Sequence, residues 1–213
     1  MVKISAYIVT LNEEKRLAKT LQALKKVADE IFVIDSGSTD KTQKIAEKYG
    51  AKFLFHKWKN ISAQKHYGQE LCNNDWVLSL DADEVLSPEL IAEIKDKMKS
   101  PTADAYKMKI CDMLPGDKKP RLLAKTYNQV RLYNRKKSNM PDDLTHDRVV
   151  VGEGVVVEQL EAKVFHYSYV SLTQTWFKLN MYTDELVKTA IKEGRYYTRL
   201  RLYTEFPRQF LVY

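Results

Sequence analysis

Apolar residues in this chain come in short runs separated by stretches of a different period. Residues 3–10, 31–34, 53–55 and 76–80 are each rich in β-branched or aromatic side chains, and each is short enough to read as a buried strand. Between them the spacing is helical. Leu17, Leu21 and Leu24 recur at i, i+4 and i+7, with Asn12 as a candidate N-cap and Glu13 and Glu14 in the first turn. Ile45, Ala46 and Tyr49 lead to Gly50 as a helix stop, and a third helical stretch covers residues 61–72. Ser87-Pro88 opens a fourth, whose Leu90, Ile91, Ile94 and Met98 share one face. Strands alternating with helices predict an α/β fold around a mostly parallel sheet with right-handed crossovers.

The regular order ends at Pro101. Turn signals at Leu114-Pro115-Gly116-Asp117 and Met140-Pro141-Asp142-Asp143 cut the following chain into short mixed segments. From Leu172 the apolar spacing is again helical, though Gly194 and Pro207 interrupt it. The expected organisation is one domain: residues 1–100 as a Rossmann-like half, residues 101–213 as a smaller mixed region with a helical C-terminus. The chain stops at Phe210-Leu211-Val212-Tyr213 with no polar tail, which reads as a cut inside a longer chain.

Composition narrows the possibilities. With 213 residues, 44% of them hydrophobic, the chain can bury one sizeable core. Cys72 and Cys111 are too few for a disulfide framework or a cysteine-built zinc site, so a reducing, cytoplasmic setting is expected with both thiols packed as small apolar groups. The first apolar run is too short for a signal peptide or a membrane span. The net charge of +7 is concentrated: residues 117–137 hold eight Lys or Arg against one acid, and residues 186–213 six against two. Such a surface suits nucleic acid, an anionic membrane or a phosphorylated substrate, and equally a solvated face with no partner.

In an open parallel sheet, ligands bind beyond the carboxyl ends of the strands. Three polar clusters fall there: Thr10-Leu11-Asn12-Glu13-Glu14, Asp35-Ser36-Gly37-Ser38-Thr39-Asp40 and Asp81-Ala82-Asp83-Glu84. Asp81 and Asp83, two apart in an extended segment, are expected to project to one side and offer hard carboxylate oxygens to Mg²⁺ or Mn²⁺. Asp35, followed by small residues, is placed to accept from a base or ribose, whereas Ser38 and Asp40 read as turn and cap residues. Asn12 and Glu13 carry both a capping and a ligand reading. Lys65, beside Gln64 and His66 near the start of the third helix, is either a cation facing phosphate or part of a solvated helix surface. His146-Asp147 follows a turn, and His166 opens an aromatic run; each histidine alone is more often structural than functional.

Taken together, Thr10-Leu11-Asn12-Glu13-Glu14, Val33 through Asp40 and Asp75 through Glu84 resemble the family 2 inverting glycosyltransferases of GT-A fold, and more narrowly the bacterial branch that glucosylates the lipopolysaccharide or lipooligosaccharide inner core. The likeness extends through His146-Asp147, His166-Tyr167-Ser168 and Pro207 with Phe210-Leu211. It implies a nucleotide-sugar donor, UDP-glucose for this branch, with Asp35 on the nucleotide and Asp81 on the ribose or the metal; Thr10, Asn12 and Glu13, from their places at a strand end, and Lys65, near the start of the third helix, join them as expected donor-binding residues. It further implies a divalent metal, Mn²⁺ or Mg²⁺, held by Asp83, and a catalytic base at Asp147, where the branch usually has Glu; His166 is expected to help hold that metal. By the same resemblance the acceptor is a glycan or glycolipid, anionic in character, reached by an enzyme on the cytoplasmic face of the membrane, and the chain is short at its C-terminus.

Two rivals predict different features. A nucleotidyltransferase would carry a glycine- and arginine-rich phosphate loop after the first strand, and Thr10 to Glu14 contains neither residue. A nucleic-acid-binding module fits the basic charge and thirteen tyrosines but not the carboxylates at the strand ends, so no nucleic-acid partner is expected.

Overall fold

The computed structural model describes residues 2–114, 116–117, 119–121, 124–142, 148–168 and 194. Its elements run β1 (Ile4–Thr10), α1 (Leu17–Leu24), β2 (Glu30–Asp35), α2 (Thr42–Lys48), β3 (Lys52–Phe55), α3 (Ile61–Leu71), β4 (Trp76–Asp81), β5 (Glu84–Leu86), α4 (Pro88–Lys97), β6 (Ala105–Asp112), β7 (Thr126–Asn134), β8 (Ser138–Asn139), β9 (Val150–Val151) and β10 (Val157–His166). The four strands and four helices expected before Pro101 are all present. β5 is an addition that hydrophobic pattern does not announce, because three residues are too few to show a period.

One sheet has the order β3-β2-β1-β4-β7-β6-β10-β5, and β8 pairs with β9 in a small second one. β3, β2, β1 and β4 are parallel, whereas β7 runs antiparallel to β4, β6 to β7, and β10 to β5. Strands from beyond Pro101 thus extend the sheet that the first hundred residues begin.

Both faces of the parallel strands are apolar, as expected when helices cover each side. On β1, Ile4, Ala6 and Ile8 join one buried cluster and Tyr7 the other; β2 divides Ile31 and Val33 from Phe32 and Ile34 in the same way. α1 and α4 contribute Leu17, Leu21, Leu24, Leu90, Ile91 and Ile94 to the first cluster. α3 lies over the second, where Gly68 faces Tyr7: a β-carbon there would stand 2.7 Å from the Tyr7 Cδ2. Both cysteines are buried and neither forms a disulfide.

Capping matches expectation at one helix and departs at another. Ser87 Oγ accepts from the Leu90 N–H at 3.1 Å, with Pro88 in the first turn. α1, however, begins at Leu17, with Arg16 at its N-cap and no side-chain cap bond. Asn12 lies outside the helix in a left-handed conformation, φ 56°.

The chain forms two compact units, residues 1–111 with 126–166 and residues 112–125 with 167–213. The first contains every element named above except the last residue of β6. In the second, Arg121 pairs with Asp117 at 3.0 Å and the Asp112 N–H bonds the Lys125 carbonyl. The helical C-terminus expected from Leu172 lies outside the described residues. No described helix is long and apolar enough to cross a membrane.

Candidate active site

β1 lies between β2 and β4, so the chain leaves it toward one side of the sheet and returns on the other. Crevices that bind ligands open at such a reversal, beyond the strand carboxyl ends. Register brings the three polar clusters there: Thr10 stands beside Asp35, and Val9 beside Asp81.

The first two clusters are laced together. Asp35, 2% exposed, accepts from Thr10 Oγ1 at 3.0 Å, Gly37 N at 2.8 Å, Ser38 N at 2.7 Å and Ser38 Oγ. Those four donors match the four lone-pair positions of a carboxylate. Gly37 adopts φ 113°, which lets the loop fold back over the acid. Asn12 spans the same gap, its N–H on Ser38 Oγ and its Oδ1 accepting from Thr39 N, while Glu13 N donates to Thr42 Oγ1. Asp40 bonds the N–H groups of Glu14 and Thr42. The capping expected of Asn12 is therefore replaced by a tie between two strand-end loops. Its left-handed backbone carries the chain away from a helical start.

Asp81 and Asp83 do not share one extended segment. β4 ends at Asp81, and Ala82-Asp83 turn into β5, so the two side chains take different partners. One Asp81 oxygen lies 3.0 Å from Lys65 Nζ and the other 2.9 Å from Arg131 Nη2. Burial alone would raise the Asp81 carboxyl, but Lys65 and Arg131 together hold it well below the usual carboxylate range. Lys65 is 1% exposed, which excludes the solvated-surface reading; its ammonium meets a carboxylate at the strand end. Glu84, equally buried, accepts from Arg131 Nη2 at 2.5 Å and from the Asp81 N–H at 3.0 Å. Burial, together with the charge of Asp81, raises its carboxyl despite Arg131. Walled in on both oxygens, Glu84 cannot reach an acceptor hydroxyl.

Asp83 faces another way. One oxygen takes Arg16 Nη1 at 3.0 Å, and the other stands 3.6 Å from His166 Nε2. Arg16 is in turn gripped by Glu13. The pairing of β10 with β5 brings the histidine there by placing His166 opposite Glu84. Among the described residues no group of three His, Cys, Asp or Glu converges on a metal position. Asp83 with His166 fits a divalent cation that takes its remaining ligands from phosphate and water, as Mg²⁺ and Mn²⁺ commonly do. Asp81 fits less well as a ligand in this arrangement, since Lys65 and Arg131 hold both of its oxygens whereas Arg16 holds only one of Asp83's.

Arg131 and Arg16 were absent from the candidates read in the sequence. A signal existed for the first: Val130-Arg131-Leu132-Tyr133 sets one charge inside an apolar strand, where an unpaired guanidinium would not be tolerated. The β6–β7 register steps from Tyr106–Leu132 to Lys107–Val130, which leaves Arg131 with no opposite residue. Such a bulge re-aims the extra side chain, here onto the carboxylates at the end of β4. Asp147, expected as the base, lies with Asp143 and His146 outside the described residues.

Four of the eight cations in residues 117–137 are paired with acids, and a fifth bonds carbonyls. Arg121 meets Asp117, Arg131 meets Asp81 and Glu84, Lys136 meets Asp75, Lys137 meets Asp104, and Arg135 donates to the carbonyls of Gln69 and Cys72.

A parallel half-sheet with a polar, carboxylate-rich crevice at its switch point is the frame of a nucleotide-sugar transferase of GT-A type. The sequence profile described as Glycosyl transferase family 2 matches residues 5–153, and the chain belongs to that family. An uncharacterized glycosyltransferase of Rickettsia conorii is 40% identical across 95% of this chain and 76% of its own length. The lipopolysaccharide core biosynthesis glycosyltransferase LpsC of Rhizobium meliloti is 25% identical across 90% of this chain and 73% of its own. Among solved structures, S. aureus TarS 1–349 superposes with a TM-score of 0.53 at 16% identity, over 78% of this chain and 60% of that one, a likeness of fold. The protein is a glycosyltransferase with the α/β, GT-A arrangement.

Proposed function

We propose that this protein transfers glucose from UDP-glucose, with inversion, to a lipopolysaccharide-core type of glycan or glycolipid. The observation that carries the reading is the convergence of Asp83 and His166, 3.6 Å apart, beside an Asp81 held by Lys65 and Arg131 at the mouth of the crevice. In this reading Thr10, Asn12, Glu13 and Asp35 shape the loop walls against which the nucleotide lies, with Asp35 exchanging one loop donor for the base. Asp81, about one third exposed, presents its open side to the ribose. Asp83 and His166 hold Mn²⁺ or Mg²⁺, which when bound supplies charge neutralisation for the departing diphosphate. Asp147 removes the proton of the attacking hydroxyl, so a single in-line displacement suffices. Residues 1–100 supply most of the donor side and residues 101–213 the acceptor side.

The test is UDP release from UDP-glucose by purified protein, with and without Mn²⁺ and core oligosaccharide. Metal-dependent release that rises with the oligosaccharide, and is lost in Asp83→Asn, is the expected result. Failure of every common UDP-sugar to bind in the presence of Mn²⁺ would refute the reading.

A further inference from the structure

A cleft of about 320 Å³ opens beside β7, lined by Lys107, Asn128, Gln129, Arg131 and Arg148 with valines and Met140 between them. Among the described residues no acid lines it. Its position is informative, because Arg131, whose Nη2 holds Asp81 and Glu84, is also one of the residues that line it. The cleft thus shares one residue with the cluster at the end of β4.

The two other cations are unlike most in the neighbouring strands. Lys107 and Arg148 are exposed, and among the described residues neither has an acidic partner, whereas Arg121, Arg131, Lys136 and Lys137 each have one. Lys107 owes its place to the same bulge that displaces Arg131, since the register slips between Tyr106 and Lys107. An ammonium and a guanidinium facing one concavity suit an oxyanion, which the guanidinium can bind through two parallel N–H bonds. The amides of Asn128 and Gln129 offer donors and acceptors of the kind that sugar hydroxyls need. Val130, Val149 and Val151 supply apolar wall for the face of a pyranose ring.

We propose that this cleft is an acceptor subsite for an acidic sugar, with Lys107 and Arg148 binding a phosphate or carboxylate substituent on the glycan. The proposal rests on the glycosyltransferase reading and moves its anion contact away from the basic run at residues 117–137. Specificity for charged over neutral acceptors then comes from two side chains that do not touch the donor.

The experiment measures binding of glucose 6-phosphate, glucuronate and neutral glucose to the whole chain, by ligand-observed NMR with UDP and Mn²⁺ present to fill the donor crevice. Wild-type protein should bind the phosphate or the carboxylate sugar and not glucose. In the Lys107→Met, Arg148→Met double variant that binding should weaken about tenfold or more, the loss expected for a charge-assisted contact of this kind. A Lys25→Gln, Lys26→Gln variant, changing two exposed lysines on the α1 side, should match wild type. Equal affinity for glucose, or unchanged binding in the double variant, overturns the proposal. So does the outcome in which vesicles containing phosphatidylglycerol bind through Lys107 and Arg148 while neither acidic sugar does, because the anion is then a lipid headgroup. UDP-glucose affinity measured in the same samples separates the two readings. Donor binding without acidic-sugar binding removes the subsite alone; acidic-sugar binding without any UDP-glucose binding removes the UDP-glucose reading and leaves Lys107 and Arg148 as an anion site.

Discussion

Arg131 and Asp81 stand fifty positions apart in the chain, yet the Arg131 Nη2 lies 2.9 Å from the Asp81 carboxylate and reaches Glu84 as well. One guanidinium thereby holds two acids that would otherwise repel each other at the end of β4. Arg131→Met should leave Glu84 buried without its cation and lower stability by about 3–5 kcal/mol, the usual cost of breaking a buried pair. Arg131→Met with Glu84→Gln should recover a large part. Thermal unfolding of the two variants decides: a loss below about 1 kcal/mol in the single variant would show the pair to be solvated.

Asp147 and His166 should fail differently. Asp147→Asn keeps the shape but cannot accept a proton, so kcat should drop on the order of 10²-fold or more with UDP-glucose affinity nearly unchanged. His166→Ala should weaken Mn²⁺ and donor binding together, with partial rescue by added Mn²⁺. Near-normal turnover by Asp147→Asn would place the base elsewhere, and Glu84 is already excluded by its burial. Normal donor binding by His166→Ala at limiting Mn²⁺ would leave that histidine as a partner of Asp83 only.

Gly68 sets how closely α3 approaches the sheet. In Gly68→Ala the new methyl would meet Tyr7 Cδ2 at 2.7 Å and Ile34 Cγ1 at 3.2 Å, both on buried strands. Overpacking of about 1–3 kcal/mol exceeds the gain in helix propensity of about 1 kcal/mol, so the melting temperature should fall. Because Lys65 sits one turn earlier on α3, a shift of the helix also loosens its 3.0 Å contact with Asp81. An unchanged melting temperature would mean that α3 rides outward at no cost.

Glu30 gives the acid limb of stability a defined window. Burial would raise its carboxyl, but bonds from Ser5, Asn73 and Lys52 outweigh that and bring it to about 2. An unfolded glutamate titrates at roughly 4.3. A group depressed on folding contributes stability that is complete above the unfolded value and disappears as pH falls through the folded one. Wild-type protein should lose this contribution between roughly pH 4.5 and pH 2, and Glu30→Gln should show a lower melting temperature at neutral pH with a shallower decline across that window. Parallel declines in both would assign the acid limb to other carboxylates.

Sequence period determined the alternation of strands and helices up to Pro101, because each run must bury a face and only one local geometry does so at each spacing. It also determined that Thr10, Asp35 and Asp81 meet, since parallel strands of one sheet end on one edge. The helix start at Ser87-Pro88 was legible for a local reason, a side chain bonding a backbone N–H three residues on. Asn12 carried the same local signal and was put to another use, because Ser38 and Thr39 come within reach only once β1 and β2 are side by side. Tertiary structure alone decided that Lys65 is buried against Asp81, that Asp83 parts from Asp81 to meet Arg16 and His166, and that a bulge in β7 turns Arg131 inward. These are pairings between charges far apart in the chain. Their partners depend on sheet register and helix approach, quantities to which residue type and spacing within one segment are blind.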